Sequence, residues 1–304
     1  MTRYALNPKT PVLSRPDNTV QVGWDPRRAV VVQPPPGLAA PVLAELLRAL
    51  QSAATIAELE SLAADHGADT SVVAALVTHL AEAGVVTVTA PRRTRSAAIR
   101  VHGSGPLSDL LIASLRCSGV RISQSSRSDA GTGGADLAVL TDYLVADPRV
   151  VRDLHDAAVP HLPVRVRDGT GLVGPLVIPG VTSCLRCADL HRSDRDAAWP
   201  AVAAQLCRTV GTADRATVLA TAALALNEVD QVIRAVSGGA GPRVDPGPAA
   251  TPGLSAGATP GPAATPGRKT AMAPPATLDT TLEFDVTRGA ITARRWSRHP
   301  RCMC

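Results

Sequence analysis

Two pairs of cysteines far apart in the chain carry the clearest chemistry. Cys184-Leu-Arg-Cys187 lies past the middle, and Cys302-Met-Cys304 closes the sequence. Thiolates offered in close pairs from tight turns are a usual donor set for tetrahedral zinc, and two such turns supply all four ligands. A redox CxxC is one rival, although it needs no second pair; a pair of disulfides is the other. His191 and His299 stand near enough in sequence to replace one thiolate. Four protein ligands leave no open coordination position, so the site is expected to hold shape. The spacing thus predicts a structural zinc that clips residue 304 back onto the centre of the chain. Two cysteines are left over. Cys117 ends an apolar helix and reads as a small buried hydrophobe. Cys207, beside Arg208, is the candidate nucleophile, though the apolar helix around it fits a core position better.

A second chemical candidate is a turn. Ala97–His102 reads as a strand, followed by Gly103-Ser-Gly105-Pro-Leu107 and an apolar helix through Leu115. Strand, Gly-x-Gly turn and helix open a Rossmann-like unit, where the helix N-terminus can receive phosphate. Gly103 and Gly105 are therefore the candidate residues for ATP and Mg²⁺. The fingerprint is incomplete. Ser108 stands at the third glycine position, and Ser123-Gln-Ser-Ser-Arg-Ser follows the second strand where an acidic residue is expected. Lys9 and Lys269 are the only lysines, which leaves Arg127 to face phosphates. A degenerate nucleotide site is expected.

These residues need elements to position them. Val120–Ser123, Asp136–Leu140 and Pro163–Val166 read as further strands alternating with helices, which predicts a parallel sheet covered on both faces. A long helix over 214–236 should bury Val218, Leu219, Ala222, Leu226, Val229, Val232 and Ile233. Composition then shifts to Gly, Pro, Ala and Thr, with Pro-Gly-Pro-Ala-Ala-Thr-Pro-Gly at 246–253 and again at 260–267. Such a stretch buries too little to fold and reads as a disordered linker over 237–277. Residues 278–304 return as a hairpin, turning at Arg288-Gly289, that delivers the last cysteines. The nearby Arg294, Arg295, Arg298 and Arg301 read as a solvated face.

Upstream, residues 1–92 form a separate module. Val20–Trp24 and Ala29–Gln33 read as strands, and three amphipathic helices and the strand Val85–Val88 follow. Thr55-Ile-Ala-Glu58 is a capping box opening the second helix. The pattern is winged-helix-like, yet residues 71–84, the would-be recognition helix, contain no Lys or Arg. Residues 1–90 carry six basic against eight acidic side chains, which disfavours nucleic acid and leaves a peptide- or protein-docking module. The whole chain has a net charge of +5 and 45% hydrophobic residues, with one Phe, two Tyr and three Trp. With no apolar signal region at Met1–Pro8 and unpaired cysteines, a cytoplasmic setting is expected.

The run Gly171-Leu-Val-Gly-Pro-Leu-Val-Ile-Pro-Gly180 into Cys184-Leu-Arg-Cys187, with Trp199-Pro200, Trp296, His299-Pro300 and the final CxC, resembles the ThiF-like superfamily. This is the fold of ubiquitin-activating enzymes and sulfur-carrier adenylyltransferases. More narrowly it resembles actinobacterial proteins associated with YcaO-type cyclodehydratases of ribosomal peptide pathways. The resemblance covers residues 95–304. It implies a zinc site on Cys184, Cys187, Cys302 and Cys304, a place for Asp142 beside Gly103 and Gly105 in the degenerate nucleotide site, a precursor peptide as partner, and a homodimer. Adenylating members carry an acidic residue and a lysine that this chain lacks, which implies a pseudoenzyme. An active adenylyltransferase and a winged-helix transcription regulator are the alternative readings.

Overall fold

The computed structural model describes residues 2–89, 95–126, 134–237 and 274–304. Residues 2–89 belong to one compact unit and the remaining described residues to a second. The predicted 237–277 linker lies outside the described residues apart from its ends, as does Arg127.

In the first unit, α1 (Ala40–Leu50), α2 (Ile56–Asp65), a 3₁₀ turn (Thr70–Val72) and α3 (Val73–Glu82) surround one apolar core. Leu43, Leu47 and Leu50 lie along one face of α1, at spacings of three and four, and are fully buried with Leu59 and Val73. The capping box at the start of α2 is present. Glu58 N–H donates to Thr55 Oγ1 (3.2 Å), and the Glu58 carboxylate accepts from Thr55 N–H (2.8 Å). Two strands absent from the sequence reading, β1 (Arg3–Leu6) and β2 (Val12–Ser14), appear here. Pro8, Pro11 and Pro16 break their pattern into pieces too short to read. β2 joins β3 (Val20–Val22) and β4 (Val30–Val32) in an antiparallel meander, while β1 pairs with β5 (Val86–Thr89). The last strand therefore closes on the start of the chain, not on the β3–β4 pair.

The second unit is built on a seven-stranded sheet ordered β12-β11-β10-β9-β8-β6-β7. Its strands are β6 (Ala98–His102), β7 (Arg121–Ser125), β8 (Leu137–Thr141), β9 (His161–Arg167), β10 (Thr170–Val173), β11 (Thr280–Asp285) and β12 (Ala290–Arg295). β7, β6, β8 and β9 are parallel; β10, β11 and β12 run antiparallel. The expected all-parallel sheet is thus a mixed one, because β10 folds straight back from β9 through Asp168-Gly169 and the C-terminal hairpin adds to its edge. Alternation along β8 sorts the two faces. Leu137 and Val139 pack with α4 (Pro106–Leu115) and α8 (Arg215–Ser237), while Ala138 and Leu140 pack with α5 (Pro148–Asp156) and the cysteine turn before α6 (Leu185–Ser193). α7 (Trp199–Leu206) follows α6.

α8 is long and apolar enough to cross a membrane by length and composition, with mean hydropathy 1.2 over residues 215–236. Ala222, Ala225 and Val229 are nonetheless buried in the core of the unit. Leu219, expected inward, is 47% exposed. Glu228 is buried on the packed face and accepts from Thr277 N–H (3.1 Å) and Thr277 Oγ1–H (2.6 Å). That pair fixes the point where the chain returns to the second unit.

Candidate functional site

The four paired cysteines converge. Their sulfurs all lie within 4.8 Å of one another, and among the described residues no other cluster of three or more His, Cys, Asp or Glu side chains reaches this proximity. Sγ–Sγ distances are 3.7 Å for Cys184–Cys187, 3.5 Å for Cys184–Cys302 and 3.4 Å for Cys187–Cys304. A tetrahedral ion with sulfur ligands at about 2.3 Å needs edges of about 3.8 Å, so the donor set fits a metal such as zinc. Burial pushes the Cys184 and Cys304 thiols up. Four thiolates at this spacing need a cation between them.

Local structure explains the convergence. Cys184 is the N-cap of α6 and Cys187 lies in its first turn, so both sulfurs leave one corner of the helix. Ser183 N–H and Oγ–H both donate to the Asp279 carboxylate (2.7 and 2.8 Å), and Trp296 N–H donates to the Asp279 carbonyl (2.8 Å). One aspartate thus ties the first cysteine turn to both strands of the C-terminal hairpin. The two candidate histidine ligands stand outside the sulfur cluster. His299 is buried with Nε2 2.7 Å from the Asp194 carboxylate, and His191 Nε2 is 3.2 Å from the Ser297 carbonyl. Arg301 also meets Asp194, and Arg298 donates to the Gly180 carbonyl (2.9 Å), so two of the four arginines read as a solvated face brace this turn. Hydrogen bonding from His299 holds the Asp194 carboxyl below its usual range, and the Arg301 charge adds to this.

Gly103, Gly105 and Asp142 also meet. They lie at the ends of β6 and β8, where the order of strands reverses and open α/β sheets form a crevice. The geometry is self-contained. Asp142 is buried, and its carboxylate accepts from Leu107 N–H (2.9 Å) and Ser108 N–H (3.3 Å) in the first turn of α4. Gly105 N–H points to Ser108 Oγ (3.0 Å). A Cβ at Gly103 would overlap the Thr141 hydroxyl, and one at Gly105 would stand 2.8 Å from the Asp142 carboxylate. Gly105 is thus required by the aspartate, and Gly103 by Thr141 first and the aspartate second. Asp142 adopts φ 70°, an unusual backbone for a non-glycine residue, and Gly211 N–H secures its carbonyl (2.9 Å).

The other two cysteines stand apart from both sites. Cys117 is exposed, contrary to the buried position read from the sequence, because α4 ends at Leu115 and the residue falls in the following turn. Cys207 is half-buried just past α7, with its thiol directed at the Ala146 carbonyl (3.7 Å). Burial raises its thiol; the Asp147 and Asp189 charges add to this, and Arg208 opposes them more weakly. A low-pKa nucleophile needs the opposite environment. Sequence reasoning passed over Asp279 and Glu228. Glu228 left a signal, a carboxylate on the apolar stripe of α8; Asp279, next to a threonine-rich strand, left none.

No protein-family profile and no curated protein matches the chain. Solved structures do. The heterocyclase TruD aligns over 100% of the chain at 16% identity with a TM-score of 0.63. A heterocyclase in complex with substrate and cofactor aligns over 100% at 15% identity and 0.64. The chain spans 42% and 39% of these two proteins' length. MccB of E. coli with ATP aligns over 100% of the chain and 99% of its own at 12% identity and 0.52. At such identities the likeness is one of fold.

Proposed function

We propose that this chain is a non-catalytic docking protein that presents a peptide to a separate modifying enzyme, with zinc on Cys184, Cys187, Cys302 and Cys304 as a structural staple. One observation carries the docking role: the free edge of the β2-β3-β4 meander. Among the described residues no strand pairs with the outer side of β4. Val30 and Val31, which alternate across the strand, are 40% and 47% exposed, and Trp24 in the turn before it is 77% exposed. An exposed apolar edge of this kind accepts an extended peptide as an added strand: backbone hydrogen bonds supply affinity and alternate side chains supply selectivity. The absence of Lys and Arg from α3 argues for peptide over nucleic acid in this winged-helix-like unit.

The zinc-bearing unit supports the non-catalytic half of the reading. A helix N-terminus that would receive phosphate is already occupied by the Asp142 carboxylate. The partial-length likeness to heterocyclases fits a chain that supplies a docking portion, with a YcaO-type cyclodehydratase in a cytoplasmic peptide-modification pathway as partner. A homodimer is part of the same reading. Peptides selected from a random library on the zinc-loaded chain test it. Bound peptide should protect amides of β4 from hydrogen exchange, and Val31→Lys should weaken binding tenfold or more. Protection elsewhere, with Val31→Lys binding unchanged, refutes the edge as the docking site.

A further inference from the structure

β9 carries a charge where its pattern calls for an apolar residue. Leu162, Val164 and Val166 pack on the α8 side of the sheet. Arg165, between them, therefore projects to the opposite face, where α5, α6 and the cysteine cluster lie. That face encloses a cavity of about 780 Å³, lined by Arg165, Arg192, Trp199, Trp296, Leu206 and Met303 among others. A volume of this size suits a small ligand or a few side chains of a larger one.

The other cations away from the rim of the cavity are paired. Arg192 donates to the Asp189 carboxylate (2.9 Å), and Trp199 Nε1–H donates to the same oxygen (3.2 Å). The Arg192 guanidinium lies 5.0 Å from the Trp199 ring centre and 5.3 Å from that of Trp296, held between two indoles. Arg167 stands 3.6 Å from Glu283. At the exposed rim, Arg152 and Arg186 are matched in number by Asp156 and Asp168. Arg165 alone is half-buried and, among the described residues, makes no hydrogen bond or ion pair. Burial lowers its pKa to about 10, helped by the neighbouring Arg192 and Arg167 charges and opposed more weakly by the Asp189 charge. A buried guanidinium with no direct hydrogen bond or ion pair lowers stability unless an anion meets it.

We propose that this cavity binds a carboxylate carried on an apolar body, with Arg165 receiving the oxyanion and Trp199, Trp296 and Leu206 enclosing the body. A guanidinium without a direct partner suits one negative charge, and the acids at the rim disfavour a polyphosphate. Gly103, Gly105 and Asp142 are not among the lining residues, so the site is separate from the switch-point crevice. The proposal stands whether or not β4 takes a peptide.

Two of the three tryptophans of the chain line this cavity, which gives it an internal reporter. In the zinc-loaded full chain carrying Trp24→Phe, fluorescence reports only Trp199 and Trp296. N-acetylleucine should give a saturable change, and N-acetylleucinamide, which lacks the charge, should give none. Arg165→Met should weaken N-acetylleucine at least tenfold without lowering the melting temperature, because the substitution removes an unpaired buried charge. A drop in melting temperature in Arg165→Met would assign the arginine to the fold and overturn the proposal. So would an equal response to the amide, no saturable response to N-acetylleucine, or unchanged affinity in Arg165→Met. Inorganic phosphate is the remaining arm: saturable phosphate binding that N-acetylleucine does not displace overturns the choice of a carboxylate.

Discussion

With the proposed zinc on the four cysteines, removing the metal should release the last turn of the chain while leaving the hairpin in place. Cys184 and Cys302 are 118 residues apart in sequence, and closing a loop of that length de novo is worth about 5 kcal/mol in chain entropy. Most of that loop is already closed, since β11 pairs with β10 from Leu282 opposite Val173 to Phe284 opposite Gly171. What the metal adds is a smaller circuit, from the end of β10 to the first cysteine turn and from the end of β12 to the second. This is a circuit of roughly 20 residues, worth about 3 kcal/mol. Chelation, or Cys302→Ser, should therefore lower hydrogen-exchange protection in residues 297–304 by about a hundredfold and leave β6, β8 and β9 protected. Metal analysis on the same samples should show about one zinc lost per chain. Full retention of the metal in Cys302→Ser, or unfolding of the whole sheet together with the tail, would refute the reasoning.

Three further outcomes are expected. Asp142→Asn should cost about 1–2 kcal/mol by denaturant titration, because a buried carboxylate on a helix N-terminus loses its charge; an unchanged midpoint would remove Asp142 from the fold's support. Glu228→Ala should cost about 1–3 kcal/mol, since Thr277 loses the acceptor of two buried hydrogen bonds, and a neutral result would mean the chain's return point is held elsewhere. His161 is fully buried, and burial lowers its pKa to about 4. The unfolded chain, with a histidine pKa of about 6.5, binds this proton at higher pH than the folded chain does. Stability should then fall as pH drops from about 6.5 to about 4, by about 3 kcal/mol, and level off below that. Denaturation of His161→Leu across this range should show a flatter profile, and an unaltered slope would place the titration on another group.

How much of this was legible follows residue by residue. The cysteine tetrad could be read because metal donors come in local pairs, and each pair declares itself within four residues. The Gly-x-Gly turn could be read as a strand-to-helix corner, and Asp142 entered as a candidate through the family resemblance. The sequence could not say that Asp142 turns inward onto Leu107 and Ser108 N–H, since spacing does not distinguish a carboxylate facing a ligand from one facing its own helix. β1 and β2 were missed because proline-flanked strands of three or four residues carry no period of their own. Of the antiparallel half of the second sheet, the β11–β12 hairpin was legible at Arg288-Gly289, while the β10–β11 pairing was not, because its partners lie more than a hundred residues apart and leave no local pattern. Arg165 went unremarked inside Pro163-Val-Arg-Val166, where a lone charge in an alternating strand reads as a solvent-facing residue. Only its position over the second face, under α6 and α7, makes it unusual.

The claim at the centre of this account is that the switch-point crevice is closed by the chain's own carboxylate. Calorimetric titration of the zinc-loaded protein with ATP and Mg²⁺ tests it most directly. The account expects no saturable heat at micromolar to millimolar nucleotide, with the Asp142 carboxylate still seated on α4. Micromolar binding that is lost on Gly105→Ala would contradict it and return the chain to the adenylyltransferases.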